Sequence, residues 1–319
     1  MDAVVEGAAG VAASTLAVAA ALGAYAAYWE PHHPVLRRAR VTVPAGWPRI
    51  DILQVSDLHA VQERGRLRSI QRRLLRGLAP DILCLTGDGC ERAVDVPGLV
   101  EILEAARPRL GAFAILGNHE YDASDHLRGW RRTLIGALSP LRSRGRSSGP
   151  AEAEEIAARL RSAGLTVLRN AGQRLVVDGR PLWVAGCDSA WAGRHDVAAA
   201  MAGRRDDEPC LGLIHEPTVA FEGAAAGMEL ILAGHTHGGQ VRLPGLGALI
   251  TNAGDDRLKS ASGFQQIGDA VLHITTGLGQ ATTLRFGCRP EAVWLRCEPR
   301  PAVAERADRS RRLYQTSRA

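Results

Sequence analysis

Short, mostly apolar runs recur along this chain, and each breaks off at a glycine or at a residue able to bind a metal or a phosphate. Ile50 to Val55 stops at Ser56-Asp57, Asp81 to Leu85 at Thr86-Gly87-Asp88, and Gly111 to Leu116 at Gly117-Asn118-His119. Further on, Cys210 to Ile214 stops at His215, and Leu230 to Ala233 at Gly234-His235-Thr236-His237. Runs of this length, closed by glycine, predict buried strands. Between them lies a helical period: Arg64 to Leu78 puts Leu67, Ile70, Leu74 and Leu78 on one face, and Pro97 to Ala106 and Ala151 to Ala163 follow. The alternation predicts an α/β protein whose parallel or mixed sheet is covered on its faces. Arg174 to Val177 and Leu182 to Ala185 flank Asp178-Gly179, a hairpin signal. Weaker signals predict strands at Leu165 to Leu168, Val241 to Leu243, Val271 to Thr275 and Ala292 to Leu295, and a short helix at Val197 to Met201. Ser139 to Pro150 reads as a mobile basic loop, and the chain from Glu298 as a charged, frayed tail.

The N-terminal stretch follows another pattern. Ala8 to Trp29 carries no charge, and Tyr25, Tyr28 and Trp29 close it like an interfacial belt. It predicts a single-pass anchor in the cell membrane over residues 1–30, with an alanine-rich soluble helix as the alternative. Arg37, Arg38 and Arg40 then place the body on the cytoplasmic side. Residues 31–48 hold several prolines and read as a linker with a short edge strand at Ala39 to Val43. Residues 49–297 form the main domain and 298–319 the tail.

Composition narrows the partners. Hydrophobic residues make up 46% of the 319 residues but aromatics only 4%, so the core must be aliphatic. The net charge of +5 suits a phosphate-bearing ligand or an anionic surface, and equally a solvated basic surface. No basic run is interleaved with aromatics, so no nucleic acid is expected. The six cysteines contain no C-x-x-C pair and no dense disulfide framework. Oligomeric state is not legible.

The strand exits carry the chemistry. In an open α/β sheet the carboxyl ends of strands face the ligand crevice. Asp57, His59, Asp88, Asn118, His119, His215, His235 and His237 would therefore converge on one rim. The donors are nitrogen and oxygen without thiolate, a set that suits Mn, Fe or Zn. They exceed the needs of one ion, and two ions about 4 Å apart are a standard device for phosphoester cleavage. His32, His33, His126, His195 and His273 belong to no such exit, although His195 sits in a loop able to meet a substrate. Arg285 and Arg289 read as partners for a substrate phosphate or for surface carboxylates.

The order Asp57-x-His59, Gly87-Asp88, Gly117-Asn118-His119-Glu120, His215, Gly234-His235-x-His237 resembles the calcineurin-like metallophosphoesterases. Gly238 to Pro244, Gly277-Leu278-Gly279 and Arg285 to Glu291 are similar to the membrane-associated bacterial YkuE/YaeI-type branch, and to some UDP-diacylglucosamine hydrolases. The resemblance implies a four-layer α/β/β/α sandwich and two divalent ions. Asp57, His59 and His237 would hold the first ion, and Asn118, His215 and His235 the second, with Asp88 bridging. His119 would stand by the scissile phosphate, with Glu120 orienting it. Gly89-Cys90-Glu91 departs from many relatives, which carry an apolar residue and Asp there. The reaction expected is hydrolysis of a phosphodiester or pyrophosphate, on a lipid or envelope precursor, by a metal-bridging hydroxide. The alternatives are a nucleotide or cyclic-nucleotide phosphodiesterase and a catalytically silent metal-binding membrane scaffold.

Overall fold

A computed structural model describes residues 2–60, 65–121, 149–249, 251, 254–279, 284–301 and 314–317, with backbone only for 2–12 and 314–317. Helix α1 (Asp2–Ala24) is followed by β1 (Val35–Val43), β2 (Ile50–Val55), α2 (Gly65–Leu75), β3 (Ile82–Thr86), α3 (Val96–Leu103) and β4 (Gly111–Ile115). Helix α4 (Gly149–Ser162) leads to β5 (Thr166–Val167), the hairpin β6 (Ala171–Val177) and β7 (Arg180–Gly186), then α5 (Val197–Met201) and β8 (Cys210–Leu213). Next come α6 (Ala220–Ala225), β9 (Leu230–Ala233), and the small pair β10 (Arg242–Leu243) and β11 (Gly247–Ala248). The chain ends with β12 (Gly263–Ile267), β13 (Ala270–Ile274), β14 (Glu291–Pro299) and β15 (Tyr314–Ser317). Residues 139–148 of the basic loop, and His126, lie outside the described residues.

Two sheets form, one in the order β15-β1-β14-β2-β3-β4-β5 and one in the order β12-β13-β9-β8-β7-β6. Strands β2 to β5 are mutually parallel, as are β7, β8, β9 and β13. Successive side chains of a strand point to opposite faces, and that splits the core in three. Leu53, Val55, Leu83 and Leu85 face Leu75, Leu99, Ile102 and Leu160 of the helices. Ile52, Ile82, Phe113 and Leu295 face Val184, Leu211, Leu230 and Leu232 between the sheets. Ala185, Ile231, Leu272 and Ile274 meet Val197, Ala200 and Ala220 on the far side. The layers are thus helix, sheet, sheet, helix. Central strands buried on both faces read as continuous apolar runs rather than as alternation.

Two expectations change at the N-terminus. No described helix is long and apolar enough to cross a membrane, which overturns the single-pass anchor over 1–30, its place in the cell membrane and its orientation. Alanine and glycine fill most of Ala8 to Ala24, and a methyl group brings little transfer free energy. Helix α1 then widens into a π-helical turn at Tyr25–Trp29, and the Arg285 N–H donates to the Ala26 carbonyl at 2.9 Å. The supposed linker is largely strand. In β1, Ala39, Val41 and Val43 are buried while Arg38 and Arg40 are exposed, and the strand pairs with both β14 and β15. β14 runs into the supposed tail, and β15 lies within it.

His273 is buried between the sheets, its Nδ1 2.7 Å from Gln54 Oε1. Burial pulls its pKa down from 6.5 to about 4. The folded state therefore binds fewer protons than the unfolded state between those values, and stability falls as pH drops from 6.5 toward 4. At ~1.4 kcal/mol per pH unit, the loss is on the order of 3 kcal/mol. Urea midpoints across this window should fall less steeply for His273→Asn than for the parent. Parallel curves would exclude His273 as a source of the slope.

Candidate metal centre

The parallel strands β2, β3, β4, β8 and β9 end at one rim, and the chain turns sharply after β2, β3 and β9. Asp57, His59, Asp88, His235 and His237 all have left-handed backbone, with φ of 52°, 43°, 50°, 71° and 49°. Non-glycine residues adopt that region at a cost, and such strain collects at functional sites. Each turn swings a side chain off its strand and into the crevice. The flanking glycines make the fit possible. A Cβ on Gly117 would lie 2.3 Å from Asp88 Oδ1 and 2.7 Å from His215 Nε2.

One cluster joins Asp57, His59 and His237. The two Nε2 atoms of His59 and His237 face each other at 3.2 Å, and Asp57 Oδ1 is 3.3 Å from His237 Nε2. Asp57 is also held by the His235 N–H, which donates to its Oδ1 at 3.0 Å. A second cluster joins Asp57, Asp88 and His215, with Asp88 Oδ2 3.2 Å from His215 Nε2 and 3.9 Å from His59 Nε2. Asn118 Oδ1 and His235 Nδ1 lie 3.0 Å apart. Asp57 thus belongs to both clusters, and Asp88 lies between His215 and His59.

The donor set fits divalent ions. Within this buried site His215 Nε2, His235 Nε2, Asn118 Nδ2 and His59 Nδ1 have no hydrogen-bond partner. Buried polar atoms are rarely left so, and a cluster of them marks a missing group. His215 Nδ1 lies 2.8 Å from the Thr86 carbonyl, which turns Nε2 toward Asp88. Burial, joined by the charge of His215, pulls the pKa of His235 down to about 3; burial also keeps His237 well below its usual value. Both imidazoles are thus neutral, the form that ligates. Burial alone would raise the pKa of Asp88, but His215 and His119 outweigh it and hold the carboxylate ionised.

His119 and Glu120 part company. The His119 N–H donates to Asp88 Oδ1 at 2.9 Å, and its Nε2 is 4.0 Å from Asp88 Oδ2 at the rim. Among the described residues, no hydrogen bond joins Glu120 to the His119 ring. Its carboxylate accepts the N–H groups of Asp88, Gly89, Cys90 and Gly117, at 2.7 to 3.3 Å. The carboxylate beside His119 belongs to Glu91, 3.4 Å from His119 Nδ1 and 3.7 Å from His59 Nδ1. Sequence reading noticed Glu91 only as a departure; its place one turn past Asp88 was the available signal. It gave Trp191 no role, although that ring lies edge-on to His235 at 4.1 Å. Arg285 meets neither solvent nor a surface carboxylate: it is fully buried beside His237. Arg289 bonds the His33 carbonyl, and His195 stands apart from the centre, 3.5 Å from Glu222. All six cysteines are free and buried.

This fold and rim define a metal-dependent phosphoesterase, a hydrolase of phosphoester bonds, and the chain belongs to the calcineurin-like phosphoesterase family, whose model matches residues 50–239. Within that family it is similar to three bacterial proteins. It is 27% identical to the uncharacterized metallophosphoesterase YkuE of Bacillus subtilis, over 84% of this chain and 86% of that one. It is 27% identical to phosphodiesterase YaeI of Escherichia coli, over 89% and 95%. It is 28% identical to UDP-2,3-diacylglucosamine pyrophosphatase LpxG of Chlamydia trachomatis, over 77% and 83%. Members of the family normally bind two divalent ions, and the described residues contain candidate clusters for them.

Proposed function

We propose that this chain hydrolyses a phosphodiester or pyrophosphate with two divalent ions, of Mn, Fe or Zn, and that its substrate is a lipid or envelope precursor. The observation that carries the reading is the meeting of the two donor clusters at Asp57, which belongs to both, and at Asp88, which reaches His59 as well as His215. Asp57, His59 and His237 hold one ion, Asn118, His215 and His235 the other, and Asp88 both. Bound there, the ions supply Lewis-acid polarisation of the phosphoryl oxygens and a water acidic enough to lose its proton near neutral pH. His119, reaching the rim through Nε2, protonates the leaving oxygen, and Glu91 holds its opposite nitrogen. The substrate class is supported by the diester and pyrophosphate activities named for YaeI and LpxG.

Metal removal tests it. Protein stripped by chelation should lose hydrolysis of bis-p-nitrophenyl phosphate and regain it on reloading with Mn²⁺, with the diester preferred to p-nitrophenyl phosphate. Turnover that survives stripping would refute the metal requirement. Two bound ions without turnover of either a diester or a pyrophosphate would refute the reaction assigned.

A further inference from the structure

We infer that Arg285 is a positioning residue of the first metal site, and that the turn Tyr25–His33 holds it there, so that the N-terminal segment forms part of the metal centre. The inference rests on the metal-binding reading above. Arg285 is fully buried, and among the described residues no carboxylate is hydrogen-bonded to its guanidinium. Its donors go to the carbonyls of Thr276 and Gly279, both at 2.8 Å, and of Cys288 at 3.1 Å, and one nitrogen lies 3.4 Å from His237 Nδ1. A buried guanidinium without a counter-charge is costly to keep, and a bland packing role would be served by an apolar side chain.

What the guanidinium joins is specific. The Gly279 N–H donates to the Asp57 carbonyl at 2.9 Å and the Leu278 N–H to the Ser56 carbonyl at 2.9 Å. The Cys288 thiol donates to the His237 carbonyl at 3.3 Å. One side chain therefore ties together the loops that carry Asp57 and His237, and none of its bonds reaches Asn118, His215 or His235. The planar fork of Arg suits this work, since its donors leave in fixed directions.

Arg285 is in turn fixed from the N-terminal side. Its own N–H donates to the Ala26 carbonyl at 2.9 Å. Glu30, buried to 1% exposure, accepts the N–H groups of Gly287, at 2.9 Å, and Cys288. Arg289 donates to the His33 carbonyl at 2.7 Å and lies over the Trp29 ring. Glu30 thus anchors the segment that presents Arg285 to the ligand.

The test uses the full chain, freed of metal and titrated with Mn²⁺ by calorimetry, with the urea midpoint of the metal-free protein measured alongside. The parent should bind two ions. Glu30→Gln and Arg285→Met should weaken one of the two sites by ~10–100-fold, the range for supporting partners of metal ligands. The other site should stay near the parent affinity, whatever the metal-free midpoint loses to the buried groups left unmet. Arg285→Lys, with the charge but not the fork, should fall between. If Arg285→Met does not fold, Glu30→Gln and Arg285→Lys carry the test. Unchanged affinity at both sites in folded variants would overturn the inference. So would equal weakening of both sites together with a lower midpoint, the mark of a brace for the whole fold. A parent that binds fewer than two ions would remove the reading beneath it, an outcome distinct from any variant's.

Discussion

Asp88→Asn should reduce diester turnover by on the order of 10³-fold or more, and the number of ions retained from two to one or fewer. The substitution keeps the shape and removes the charge. Asp88 Oδ2 is the oxygen nearest both His215 Nε2, at 3.2 Å, and His59 Nε2, at 3.9 Å, so together with Asp57 it links the two clusters. Its other oxygen accepts the His119 N–H and so also places the residue proposed to protonate the leaving group. An amide could still accept that bond through its oxygen, which separates the loss of charge from the loss of position. Without metal, the variant should be less stable than the parent at neutral pH, since the attraction to His215 and His119 that outweighs burial is lost. Bound metal counted by mass spectrometry and turnover of bis-p-nitrophenyl phosphate check both halves. A variant that keeps two ions and turns over within tenfold of the parent would remove Asp88 from the bridge.

The rim was legible because the strands that build it are buried on both faces. A run such as Leu230 to Ala233 cannot tolerate His235 within itself, so the polar residue marks where the strand ends and the crevice begins. β1 was read short because Leu36 to Arg40 holds three arginines, which the two faces of the sheet sort only once β14 and β15 are in place. β15 was missed because its pairing with β1 joins residues nearly 280 positions apart, and local pattern carries no trace of it. The anchor was misread because length and lack of charge were weighed above the small transfer energy of alanine. The left-handed backbone of Asp57, His59, Asp88, His235 and His237 has no signal in residue type, since none of them is glycine. In the site, the ligand types could be read from spacing, but the partner of His119 could not. Glu120 is its neighbour in sequence and Glu91 its neighbour in space.

That distinction yields opposite results for two conservative substitutions. Glu120 lies 2% exposed and accepts four backbone N–H groups from the two loops that carry Asp88 and Asn118. Burial and the nearby Asp88 raise its pKa to about 7, against the pull of His215 and of the Gly117 and Cys90 N–H groups. A glutamine there offers one oxygen and turns an NH₂ against backbone donors. Glu120→Gln should therefore cost about 3 kcal/mol or more, as a buried charged acceptor is lost and its donors are left unmet. Glu91 is half exposed, and its ion pairs among the described residues are with His119 and His59. The nearby rings of His119 and then His59 hold its pKa far below the usual carboxylate range, so it stays ionised beside both. Glu91→Gln should leave the urea midpoint within ~0.5 kcal/mol of the parent, as surface changes do. It should lower kcat by ~10–100-fold with little change in KM, because the ring of His119 loses its charged support. The pair is decisive as a pair. If Glu120→Gln instead kept its stability and lost kcat, while Glu91→Gln changed neither, the carboxylate that orients His119 would be the sequence neighbour after all.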